Sequence, residues 1–167
     1  MHKIQRRSKK LQNKDRTASG FSITEIMVAT AITGILGAVA LPNFIDTLHG
    51  SRPKEAITTI ASIHATVGAF IDATGELPTT WDELSSIAAV MTENGQATGD
   101  LSQEITLPGS IYNLKLVSLN ENVYTFNASR IDNIKNYDVQ SCFNVSNGAS
   151  DINSGDGTTN ATEPICS

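Results

Sequence analysis

Twenty consecutive residues without a charge, Ile26 to Ile45, follow a head that carries seven of the chain's twelve Lys and Arg residues. As a helix that run is about 30 Å long, the thickness of a bilayer core. Thr30, Thr33, Gly34 and Gly37 dilute it, but the flanking charge argues against the core helix of a soluble domain. Lys3, Arg6, Arg7, Lys9, Lys10, Lys14 and Arg16 stand against a single acid, Asp15, in residues 1–20. Such a basic flank stays in the cytoplasm, so the remainder is expected outside. Residues 21–167 hold five basic and sixteen acidic groups, a net of −11 that the whole-chain value of −5 conceals. An acidic body is a poor general surface for nucleic acid, whose affinity rests on neutralised phosphates. Arg52, Lys54, Arg130 and Lys135 are too few to claim DNA contact unless they cluster.

Three export readings compete. In the first, residues 1–40 are a secretory signal removed after Ala38-Val39-Ala40, leaving a secreted binding domain; Arg6-Arg7 would then suggest a twin-arginine signal. The second is a plain single-span anchor. In the third, cleavage falls at Gly20–Phe21 and the apolar run is retained. Glu25 discriminates among them. A carboxylate at the start of an apolar segment costs roughly 2.5 kcal/mol or more to insert, and neither a signal core nor an anchor needs one.

The string Gly20-Phe21-Ser22-Ile23-Thr24-Glu25, with Gly34 and Leu41-Pro42 beyond it, resembles the N-terminus of a type IV pilin precursor. The resemblance is specific over residues 16–50 and architectural after that. Thr24 and Thr30 replace usual aliphatics, and a leader of twenty residues is long. What the resemblance implies is a prepilin peptidase that cuts after Gly20 and N-methylates Phe21. It also implies a filament of like subunits, built by a polytopic platform protein and an assembly ATPase. Glu25 then meets the Phe21 amine of a neighbour, and because breaking a buried pair costs on the order of 3–5 kcal/mol, the pair sets register. Pro42 removes an amide from the helix and should kink or loosen it, with Gly34 and Gly37 easing the turns before it. A minor pilin or type II secretion pseudopilin is the neighbouring alternative.

Beyond Gly50-Ser51-Arg52-Pro53, with Ser51 expected as an N-cap, the pattern becomes amphipathic over residues 54–74. Ala56, Ile57, Ile60, Ile63, Val67, Phe70 and Ile71 form a stripe fit to cover a sheet. His64 lies on or beside that stripe and reads as a helix-surface or partly buried histidine, not a ligand. Gly75-Glu76-Leu77-Pro78 ends the helix. Thr80-Trp81-Asp82-Glu83 reads as a capping box opening a short helix to about Met91, with Trp81, Leu84, Ile87 and Ala88 inward. Residues 94–100 read as a loop. Strands are expected over 111–119, 123–128 and 138–145, with a short one over 103–107 and a hairpin at Asn120-Glu121-Asn122.

Cys142 and Cys166 are the only cysteines, and in an exported domain such a pair bonds. The resemblance agrees, since type IV pilins staple a variable C-terminal loop in this way. Residues 146–160 have almost nothing apolar to anchor them. Asp151, Asn153 and Asp156 resemble part of a calcium loop, and some pseudopilins use calcium here. The departures from an EF-hand, Gly at the fifth position and no Glu at the twelfth, favour a flexible surface loop.

No glycine-rich phosphate loop, HExxH or Gly-x-Ser-x-Gly is present in the sequence, so neither catalysis nor a cofactor is expected. The expected class is α+β. A long kinked N-terminal helix, half membrane or filament core and half amphipathic, packs on a three- to four-stranded antiparallel sheet with a disulfide-closed loop at 142–166. Residues 1–20 are the leader, 21–50 the apolar segment and 51–167 the extracellular head. The precursor is expected in a bacterial cytoplasmic membrane, and the mature chain in a surface pilus serving adhesion, twitching motility or DNA uptake.

Overall fold

A computed structural model describes residues 20–167; the basic leader, Gly20 apart, lies outside them. The described residues fall into two units, one ending at Leu41 and one beginning at Pro42. Helix α1 (Ile23–Ser51) contains Pro42, and α2 (Pro53–Thr74) follows after Arg52 alone. Arg52 keeps helical dihedrals, φ −64° and ψ −40°, and makes no side-chain cap. The expected Ser51 cap is therefore corrected. With the helical turn preserved there is no set of orphan amides to satisfy, and the Ser51 hydroxyl instead donates back to the Leu48 carbonyl at 2.8 Å.

α2 buries one stripe. Ala56, Ile60, Ile63, Val67 and Phe70 are inside, and Ile57 and Ile71 pack at the edge. The helix stops at Gly75, whose φ of +75° is natural for a residue without Cβ and lets its N–H reach the Ile71 carbonyl at 2.8 Å.

The sheet that α2 covers is antiparallel throughout, with strands β3 (Ile105–Thr106), β4 (Tyr112–Asn120), β5 (Val123–Arg130), β6 (Val139–Asn144) and β7 (Ser150–Ser154) side by side in chain order. It has five strands; β7 lies inside the stretch read from sequence as a loop. β4 and β5 are joined by Glu121 and Asn122, both at positive φ, the form whose twist matches that of the paired strands. Alternation sends Tyr112, Leu114, Tyr124, Phe126, Ala128, Val139 and Ser141 to the covered face. Trp81, Leu84, Leu101 and Leu107 complete the core.

The capping box is present: Thr80 Oγ1 accepts from the Glu83 N–H at 3.2 Å, and the Glu83 carboxylate accepts from the Thr80 N–H at 2.9 Å. The helix it opens, α3, is shorter than expected (Trp81–Ser85), and Ile87 and Ala88 are exposed. Trp81 and Leu84 already fill the core. The chain then turns out, so that Met91–Thr92 (β1) pairs with Gly95–Gln96 (β2) in a small hairpin, where a helix to about Met91 and a loop over 94–100 were expected.

The C-terminal segment is stapled by Cys142–Cys166, with Cα atoms 5.9 Å apart. It is also tied at many polar points. The Gly155 N–H donates to the Asp138 carbonyl at 2.9 Å, and the Gly157 N–H to the Asn136 carbonyl at 2.7 Å. A side chain at Gly155 would run into the Asn136 and Thr159 carbonyls. The flexible-loop expectation is thus corrected: side-chain and backbone hydrogen bonds hold this segment where apolar contacts are few.

Candidate functional site

The N-terminal unit has no core of its own. Across 21–41 every side chain is exposed, Gly37 alone being partly covered, with Phe21 83% and Ile35 68% accessible. The helix they lie on is long and apolar enough to cross a bilayer. An apolar surface of this extent is stable only when lipid or other protein covers it. Its polar groups are already quiet. Thr30 Oγ1 donates to the Ile26 carbonyl at 3.0 Å and Thr33 Oγ1 to the Ala29 carbonyl at 2.8 Å, which spares lipid or a neighbour any unmet hydroxyl donor.

Gly20 and Phe21 stand ahead of the helix in non-helical backbone. Glu25 sits in the first turn and closes a second capping box: the Ser22 N–H donates to its carboxylate at 2.7 Å, and its own N–H donates to Ser22 Oγ at 3.2 Å. Sequence reading missed this role for Ser22, although Ser22-x-x-Glu25 is the pattern recognised at Thr80-x-x-Glu83. Gly34 is exposed, and a Cβ there would meet nothing within 4 Å. Nothing in this chain's own packing requires a glycine at that position. Pro42 is exposed and lies within α1 with no N–H to give to the ladder.

Other sequence candidates are structural. His64 is buried: Nδ1 lies 3.0 Å from Ser150 Oγ, Nε2 lies 3.2 Å from Ser141 Oγ, and Phe143 stacks on the ring. Burial pushes its pKa down to about 4. Arg130 forks onto Asp132 and lies over the Tyr112 and Tyr137 rings, 5.9 and 5.5 Å away.

Asp151 accepts from the Asn153 amide and the Ile165 N–H, whereas Asp156 accepts from the Thr158 and Thr159 N–H groups. Among the described residues no group of three or more His, Cys, Asp or Glu is placed to hold a metal ion.

Over 51 residues, 30% of this chain and 23% of the relative, the sequence is 39% identical to the type IV major pilin protein PilA of Myxococcus xanthus (strain DK1622). Over 95 residues, 56% of this chain and 60% of the relative, it is 27% identical to Fimbrial protein Q of Moraxella bovis. The chain resembles the type IV pilins. The matched region of this pilin-like chain spans less than two thirds of either relative's length. No family profile and no solved structure matches it.

Proposed function

We propose that the chain is a structural subunit of a type IV pilus and a substrate, not an enzyme. The carrying observation is an apolar helix exposed on all sides with one carboxylate in its first turn. The basic leader holds the precursor with its acidic body outside the cytoplasmic membrane. A prepilin peptidase cuts between Gly20 and Phe21, where the backbone is not yet helical and so is open to a protease cleft, and methylates the new terminus. An assembly platform and ATPase then pack the helices into a filament core.

There Glu25 receives the ammonium of a neighbour's Phe21, since an unpaired buried carboxylate is penalised. Gly34, with open space around it, allows a neighbouring helix to approach closely, and Pro42 lets the ladder yield there. The stapled head coats the exterior.

Shearing filaments from cells and identifying the protein in them tests this directly. The chain should be a main constituent. Trace amounts would favour a minor pilin or pseudopilin, and absence from every filament would contradict the proposal.

A further inference from the structure

His64 is the one histidine inside the head's core, and its contacts reach across the fold. Its ring joins α2 to β6 through Ser141 and to β7 through Ser150, partners 77 and 86 residues away in sequence. Ser141 is fully buried. β7 is a short edge strand of polar residues around a single partly buried Ile152, paired only with β6. The Ser150–His64 contact is its side-chain hydrogen bond to α2.

Proton bookkeeping shows what acid does. A neutral imidazole donates from one nitrogen and accepts at the other, so one serine donates to it and the other accepts from it. A protonated imidazole donates from both, and the serine that was donating must turn its hydrogen away. Ser141 is fully buried and Ser150 exposed, so protonation buries a charge in either tautomer and, where Ser141 is the donor, also leaves its hydroxyl hydrogen without a partner.

Among the described residues no counter-charge faces the ring. The neighbours a turn away on α2 are Ile60, Ala61, Val67 and Gly68; β5 presents Phe126, β6 presents Ser141 and Phe143, and β7 presents Ser150. The acids nearest the ring's partners in sequence, Asp151 on β7 and Asp138 just before β6, are engaged elsewhere. Asp151 holds Asn153 and the Ile165 N–H, and Asp138 holds Gln140 and the Ala161 N–H.

We propose that His64 is an acid-sensitive latch: on acidification β7 parts from α2 and β6 while the disulfide keeps the C-terminal segment tethered and β4–β5 stay paired. The direction is fixed by linkage. The closed state holds the ring's pKa down at about 4, and a released histidine returns to about 6.5. The open state therefore binds more protons, and opening grows as pH falls from about 6.5 to about 4. At pH 4.5 these values give a rise of roughly 70-fold in the opening constant over its value at pH 7.5.

The test is amide hydrogen exchange on the full chain in detergent micelles at pH 7.5 and 4.5, corrected for intrinsic rates, for wild type and His64→Gln. Wild-type β7 should lose protection by roughly that factor beyond any change in β5, and His64→Gln, which has no proton to take up, should show no such excess. An equal acid response in the variant, or β7 and β5 opening together in wild type, overturns the latch. Should His64→Gln fail to fold, the wild-type chain still decides. The NMR titration of the His64 ring should share its midpoint with the loss of β7 protection, and separate midpoints contradict the proposal.

Discussion

The Glu25 carboxylate is 2.7 Å from the backbone N–H of Ser22, and the Ser22 hydroxyl accepts the Glu25 N–H in return. One carboxylate thus has two roles available: closing its own helix, and meeting a neighbour's amine in a filament. Substitution separates them. Glu25→Gln keeps an oxygen for the Ser22 N–H but carries no charge. The expected outcome is a processed, membrane-held protein and no filaments, seen by immunoblot of membrane and sheared fractions. Normal piliation in Glu25→Gln would remove the pairing argument.

The staple is expected to matter for the head. Cys142 and Cys166 are 24 residues apart and bonded. Closing a loop of that size stabilises by roughly 3–4 kcal/mol in the chain-entropy model. The double variant Cys142→Ser/Cys166→Ser should lose about that much in urea unfolding, with a steeper slope because the denatured chain without the cross-link is less compact. Reducing agent should move the wild-type midpoint toward that of the variant and leave the variant unmoved.

The α3 cap gives a pH-linked prediction. Thr80→Ala should cost about 1 kcal/mol and Thr80→Ser much less. Hydrogen bonds from the Thr79 and Thr80 N–H groups hold the Glu83 carboxyl below its usual value. Its contribution is present above the ordinary carboxylate range and fades as pH falls through the lowered value. The gap between wild type and Glu83→Gln, followed by thermal melts, should therefore shrink in acid.

Tyr124 crosses the core to donate its hydroxyl to the Pro78 carbonyl at 2.8 Å, and burial pushes its pKa up to about 12. Tyr124→Phe leaves that buried carbonyl without its donor and should cost about 1–2 kcal/mol in denaturant unfolding. A cost near zero would mean that the 77–79 turn relaxes to find another partner.

What the sequence discloses follows the strength of local signals. The α2 stripe, the Gly75 stop, the Thr80–Glu83 box and the β4–β5 turn were legible because each is a short pattern with one physical solution. α3 ended early at Ser85 because Trp81 and Leu84 filled the space before Ile87 could use it. β7 was not legible. Ser150–Ser154 has one apolar residue, and its place is set by His64, the β6 ladder and the polar ties of the tail, all distant in sequence. The Arg130–Asp132 fork was missed for a related reason: its spacing carries no helical or strand signature, and the two tyrosines beneath it come from different segments. At the N-terminus Glu25 stood out as a lone carboxylate at the start of an apolar run, whereas the roles proposed for Gly20, Phe21, Gly34 and Pro42 rest on family resemblance, because an exposed helix leaves no packing pattern to read.

The account rests on the apolar helix staying with the exported protein. Intact mass and N-terminal sequencing of the protein recovered from cells measure this most directly. The account predicts a chain that begins at Phe21 and is one methyl group heavier than the unmodified residues 21–167. A chain beginning at Leu41, with the helix gone, would contradict it.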